Sequence, residues 1–201
     1  CGEGSANLSE AADTAMKLVM TMLARDEADI LDANLAYDLD RGVDFIVATD
    51  NNSTDETVEI FEHYVRMGYL HLIREPAEDY AQSAWVTRMA DLAATQFGAD
   101  WIMHSDADEF WWPREGTLKD VFASIPEKYG VFYAHRLDFI PRPSERGFFA
   151  DRMLIRTGFP EKTIVAHRPD PDVVRIELGR CELGGAAGEH WGKTKRDGVP
   201  G

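Results

Sequence analysis

At 201 residues, 44% of them hydrophobic, the chain has the length for one ordinary domain with a sizeable core and no room for two large ones. Its formal net charge of −15 excludes a broad basic face, and with it general binding to nucleic acid or anionic membrane, so the expected partner is a small molecule or a cation. Cys1 and Cys181 stand far apart and outside any metal-ligand spacing, which indicates neither a disulfide framework nor a zinc site and favours a reducing, cytoplasmic setting.

Residues 1–15, CGEGSANLSEAADTA, are small, polar and aperiodic and read as a disordered tail without the layout of a signal peptide. KLVMTMLA (17–24) is an apolar run suited to a buried strand. DEADILDANLAYDLDRG (26–42) places Ile30, Leu31, Leu35 and Leu39 on one helical face and closes at Gly42. DFIVAT (44–49) is a second strand, after which Ser53 and Glu56 have the spacing of a capping box for a helix through Val58, Phe61 and Val65 that stops at Gly68. YLHLIR (69–74) reads as a third strand. A helical pattern from about Ala81 to Phe97, with Trp85, Met89, Leu92 and Ala93 inward, leads into DWIMHS (100–105), a fourth strand.

Further on, GTLKDVFASI (116–125) reads as a helix capped by Thr117, and YGVFYAHRL (129–137) as a strand. Pro141, Pro143, Pro160 and Pro169 then break up anything long, so this half is expected to be irregular and antiparallel. From Ile176 the chain is glycine-rich and aperiodic, an atypical tail over 176–201 behind a single domain over 16–175. No apolar run reaches the roughly 18 residues of a membrane helix, so no transmembrane segment is expected.

Four alternations of strand and helix predict an α/β fold, a mostly parallel sheet with helices on both faces. Ligands of such sheets bind at the carboxyl ends of the strands. Polar clusters stand where that rule asks for them: Arg25, Asp26 and Glu27 after the first strand, DNNSTD (50–55) after the second, and Asp106, Asp108 and Glu109 after the fourth.

The last cluster lies in HSDADEFWW (104–112). Two carboxylates spaced i, i+2 just past a strand are suited to a hard cation such as Mg²⁺ or Mn²⁺, and a metal held by two protein groups keeps open positions that a diphosphate fills. An acidic, solvated surface turn is the competing account of Asp106 and Asp108. A calcium loop of the EF-hand type fails, because Phe110, Trp111 and Trp112 follow where oxygen ligands and a glycine are needed. An aspartyl phosphotransferase has its Asp-x-Asp at the end of the first strand, whereas here three strands precede it. Asp50 stands where its carboxylate can accept hydrogen bonds from ligand N–H or hydroxyl groups, or form a turn with Asn51 and Asn52.

In this order, RDE after the first strand, DNNSTDET after the second and SDADEF after the fourth resemble family 2 glycosyltransferases with the GT-A fold, in particular the branch whose acidic motif reads Asp-Ala-Asp-Glu-Phe. The likeness runs from Lys17 to Trp112, the nucleotide-sugar half (16–112), and more loosely through an acceptor half (113–175). It implies a metal-dependent, inverting transfer of a sugar from a nucleoside-diphosphate-sugar donor to an unidentified acceptor. By the resemblance Asp50 contacts the nucleoside, Glu27 lines the same pocket, and Asp106 and Asp108 bind Mn²⁺ or Mg²⁺ and through it the diphosphate. It further implies a late histidine on the metal, His167 with His190 competing, and an acidic base for the acceptor hydroxyl, for which Asp138 and Glu145 are available. Trp111 and Trp112 are candidates for stacking on an acceptor sugar, with core packing the competing role. The tail after Val174 departs from the family pattern and lacks a clean Gly-x-His, which leaves open a sugar-nucleotide-binding domain with impaired catalysis.

Overall fold

The computed structural model describes residues 16–77, 81–139, 155, 161–169, 179–181 and 188–190. In chain order the elements are β1 (Leu18–Ala24), α1 (Leu31–Asp40), β2 (Phe45–Asp50), α2 (Thr57–Met67), β3 (Leu70–Arg74), α3 (Gln82–Thr95), β4 (Trp101–Asp106), α4 (Leu118–Ala123), β5 (Val131–Arg136), β6 (Glu161–His167), β7 (Gly179–Cys181) and β8 (Gly188–His190). The six-stranded sheet has the order β3-β2-β1-β4-β6-β5. Strands β1 to β4 pair in parallel, while β6 is antiparallel to both β4 and β5, so β5 runs in the same direction as β4. The α/β class and the mostly parallel sheet are as expected from the sequence. Strands β7 and β8, within the stretch expected to be an atypical tail, form a separate antiparallel pair.

β1 is the centre of the sheet, and its residues explain why. Leu18, Val19, Met20 and Met22 are fully buried, the signature of a parallel strand covered on both faces. One face carries Leu18, Met20, Ile46, Trp101 and Met103 against Leu31 and Leu35 of α1, Phe61 of α2 and Phe122 of α4. The other carries Val19, Val47 and Ile102 against Val86, Met89 and Ala93 of α3. Gly68 ends α2 in the left-handed region at φ 83°. Thr117 opens α4 in a reciprocal capping box with Asp120. Among the described residues no helix is long and apolar enough to cross a membrane.

Two expectations change. The buried face of α1 is Leu31, Asn34, Leu35 and Asp38, with Leu39 packed partly buried against the same core as expected, so the apolar stripe is interrupted by two polar residues and Ile30 precedes the helix. No capping box of Ser53 with Glu56 opens α2: Asp55 accepts from the Thr57 N–H at 3.0 Å, while Ser53 accepts from the Asp26 N–H at 3.0 Å.

The end of the sheet away from the strands' carboxyl termini is pinned by aspartates. Asp44 accepts from the Leu18 N–H at 2.8 Å and pairs with Lys119 of α4 at 2.6 Å, and Asp100 accepts from the Lys17 N–H at 2.7 Å. Charge-assisted bonds of this kind are worth about 1.5–3 kcal/mol each. Asp44→Ala is therefore expected to lower unfolding stability in urea by about 1–3 kcal/mol. A midpoint unchanged from the native chain would show that this clamp contributes nothing.

Candidate functional site

The strand order reverses between β1 and β4: β2 and β3 lie on one side of β1, and the chain returns through α3 to place β4 on the other. Such a switch point opens a crevice at the carboxyl ends of the two strands. Leu23 of β1 is level with Asp106 of β4, and Ala24 of β1 with Asp50 of β2, so the three polar loops expected on one rim do share it.

Short polar side chains bind the first two loops together. The Asp26 carboxylate accepts from the Thr54 N–H at 2.6 Å and its hydroxyl at 3.1 Å, Thr57 Oγ1 accepts from the Glu27 N–H at 2.8 Å, and Asp55 accepts from the Ala28 N–H at 3.0 Å. Asn51 and Asn52 donate to the carbonyls of Ala77 and Pro76 at 2.9 and 3.0 Å, which ties the second loop to the strand-end segment after β3. Sequence reasoning missed these clamps, although the density of Asp, Asn, Ser and Thr in 50–57 was their signal. Asp50 lies buried among them, and its Oδ1 has no hydrogen-bond partner among the described residues.

The third loop turns sharply. The Glu109 N–H donates to the Asp106 carbonyl at 3.0 Å, and the Glu109 carboxylate lies 3.4 Å from the Asp106 N–H. Ala107, between the two aspartates, is buried in the core, and Asp108 is exposed. Behind the turn, Asn34 Nδ2 donates to the Glu109 carbonyl at 2.5 Å and Trp111 Nε1 donates to Ser105 Oγ at 3.0 Å.

Negative charge converges here from several elements. Burial, then Asp108 and other carboxylates including Asp106, pushes Glu27 up to about 7. Asp106 is raised to about 6 by burial and Asp108, with Arg136 pulling the other way. Glu109 is raised to about 7 by burial first and then Asp106. Deeper still, fully buried Asp38 is pushed to about 8 by desolvation, with the Trp111 backbone opposing.

This donor set is hard oxygen, and the excess of carboxylate suits a divalent cation of the Mg²⁺ or Mn²⁺ type. Among the described residues no three His, Cys, Asp or Glu side chains enclose a metal position. Two carboxylates with open coordination positions are the pattern by which such ions are shared between a protein and phosphate oxygens.

His167 is not brought to the aspartates. β6 is antiparallel to β4 and pairs His167 with Ile102, four residues before Asp106, roughly 13 Å along the strand. Its ring instead stacks on His104 with centroids 5.2 Å apart, and His104 shares a 2.6 Å hydrogen bond with Thr21. Burial and the neighbouring His167 push His104 down to about 3, and burial lowers His167 as well. His190 ends β8, in the separate two-stranded sheet. Trp111 packs partly buried against the core, and Trp112, 84% exposed, faces solvent beside the acidic turn. Asp138 follows β5 and lies 3.1 Å from Arg136. Glu145 lies outside the described residues.

Residues 33–145, more than half of the chain, match the model of glycosyltransferase family 92, and the chain belongs to that family. The motif resemblance pointed to family 2, and the glycosyltransferase class is what the two share. Among solved structures, the chain is similar to the 1–349 portion of S. aureus TarS in complex with UDP, at 20% identity over 54% of this chain and 31% of that one, with a TM-score of 0.41. The same portion in complex with UDP-GlcNAc gives 18% identity, 47% and 27% coverage and a TM-score of 0.38. A mycobacterial protein gives 20% identity, 46% and 31% coverage and a TM-score of 0.34. The chain thus spans less than a third of the length of these structures, and the family match carries the assignment. No curated protein matches it.

Asp38 yields a prediction with a sign. The folded chain holds this proton to about pH 8, whereas an ordinary aspartate releases it near 3.8, so the stability fully present below about pH 4 is lost progressively as pH rises and the loss is complete once pH passes 8. Asp38→Asn keeps the shape and removes the titration. Its melting temperature is expected to equal that of the native chain near pH 4, to exceed it increasingly up to about pH 8 and by a constant margin above that, read in chelator-treated samples; a difference independent of pH between about 4 and 8 rules the account out.

Proposed function

We propose that the chain binds a nucleoside-diphosphate sugar at the β1–β4 switch point and transfers its sugar, with inversion, to an acceptor hydroxyl. The observation that supports this most is the meeting of Glu27, Asp106 and Asp108 at that crevice, with the buried, unpartnered Oδ1 of Asp50 beside it. Asp50 is suited to accept hydrogen bonds from the nucleoside, and an empty buried acceptor oxygen of this kind costs about 1–3 kcal/mol until a donor fills it. Asp106 and Asp108 would hold Mn²⁺ or Mg²⁺, which when bound neutralises charge developing on the departing diphosphate. Glu109 braces the turn from within. Trp112 offers an exposed ring face to an acceptor sugar, and Asp138 or Glu145 takes the acceptor's proton.

Screening UDP, GDP, CDP and ADP by thermal shift, with and without Mn²⁺, tests this reading. One of them is expected to raise the melting temperature by roughly 5–10 °C at about a hundred-fold excess over its Kd, and only with the metal. Asp108→Ala is expected to remove the metal-dependent part of that shift. If no nucleotide stabilises the chain, the site is misassigned. Of the two base candidates, the one in use loses about 10²–10⁴-fold in transfer rate on conversion to its amide while the nucleotide shift persists. Loss of neither, together with tight nucleotide binding, identifies a binding domain without turnover.

A further inference from the structure

The rim is acidic almost throughout, and a diphosphate is an anion. Its positive charges are therefore informative. Arg25 lies 3.9 Å from Asp26 and Arg88 3.1 Å from Glu75, each beside a carboxylate of its own part of the rim. Arg136 differs in place and reach. β5 runs parallel to β4, and Phe132 and Met103 both pair with Ala166 of the strand between them. Arg136, four residues past Phe132, therefore stands level with the Asp106–Asp108 turn, which begins three residues past Met103. Its charge reaches Asp106 and Glu109, opposing in part the upward shift that burial gives each. At the same time its Nε lies 3.1 Å from the Asp138 carboxylate, a pair in which each side chain is partly exposed.

We propose that Arg136 binds the donor's diphosphate, exchanging Asp138 for phosphate oxygens, so that the Asp138 carboxylate is released toward the acceptor when the donor is in place. This rests on the glycosyl-transfer reading above. A guanidinium presents a planar fork that fits phosphate oxygens bidentately, and a diphosphate offers it more charge than one carboxylate does. The Arg136–Asp138 pair, partly open to solvent on both sides, is one that a more highly charged anion can displace. Once released, Asp138 accepts the proton of the acceptor hydroxyl as that oxygen bonds to the anomeric carbon. The electron pair of the breaking anomeric C–O bond departs on the diphosphate, where Arg136 meets the charge that develops. Base and donor are thereby coupled through one cation, which disfavours proton abstraction in a site without donor.

Calorimetric titration of the full chain separates these roles, with Mn²⁺ alone as one probe and UDP, GDP, CDP or ADP in the presence of Mn²⁺ as the other. Arg136→Gln is expected to weaken nucleotide binding about ten-fold or more, the loss of a charge-assisted contact, while Mn²⁺ alone binds as well as to the native chain or a few-fold tighter. Asp138→Asn, which removes the competitor, is expected to bind nucleotide a few-fold tighter. Retained Mn²⁺ binding shows that Arg136→Gln is folded, and if it is unfolded Arg136→Lys takes its place, with the same direction expected because a point charge does not reproduce the fork. Native-like nucleotide affinity in the Arg136 variant, or weaker binding in Asp138→Asn, overturns the inference while leaving the donor-site reading intact. If the native chain itself binds none of the nucleotides, the donor-site reading falls and takes this inference with it.

Discussion

Parallel pairing of β1 with β4, with Leu23 against Asp106, is the contact on which the rim depends. It places the loop after the first strand beside the loop after the fourth, although some eighty residues separate them in the chain, and so brings Glu27 within electrostatic reach of Asp106 and Asp108. Two carboxylates a few ångströms apart repel by several kcal/mol at the effective dielectric of a protein surface. The same two strands supply what outweighs this. Leu18, Val19, Met20, Met22, Trp101, Ile102 and Met103 are all essentially excluded from water, and each such side chain contributes about 1.5–3 kcal/mol. The repulsive ends are carried on a strand pair that its apolar middle holds in place.

Holding the acids together also requires that the loops not relax apart. Asp26 and Asn52 both sit at positive φ, 56° and 55°, a region non-glycine residues occupy at some cost and Asp and Asn tolerate best. Each is fixed by a side-chain bond across to another loop, Asp26 to Thr54 and Asn52 to Pro76. The motif DNNSTDET is thus mainly architectural. Of its residues, Asp50 is the one left buried with an unsatisfied oxygen, while its neighbours are spent on the clamps.

Strands β1 to β4 were legible because each is a short apolar run with a turn signal on either side, and the parallel arrangement followed from helices between them. The rim followed in turn, since a parallel sheet puts every carboxyl end on one side. What was not legible was pairing. β6 follows a proline-rich stretch without a clean period, and its insertion between β4 and β5 is a tertiary event that no local pattern records. His167 shows the consequence: expected at the metal by resemblance, it pairs with Ile102 near the start of β4 and stacks on His104. The same insertion sets β5 parallel to β4 and so delivers Arg136 and Asp138 to the rim, a placement that sequence distance alone could not supply. Helix α1 misled for a different reason. Its inner face is half polar, and a hydrophobic period passes over Asn34 and Asp38.

Those two polar residues explain the depth of the acidic motif. Asn34 holds the Glu109 backbone, and Asp38, one helical turn further on, feels the charge of Glu109. The carboxyl groups of this motif and of the helix behind it all resist ionisation, Asp106 raised to about 6, Glu109 to about 7 and the fully buried Asp38 to about 8. Desolvation is the leading cause in all three. Near neutral pH Asp38, the most deeply buried of them, therefore keeps its proton. Asp108 carries its carboxylate into solvent at the rim, where a cation can enter, and Asp38 stays neutral enough to be buried beneath the turn without a partner of opposite charge.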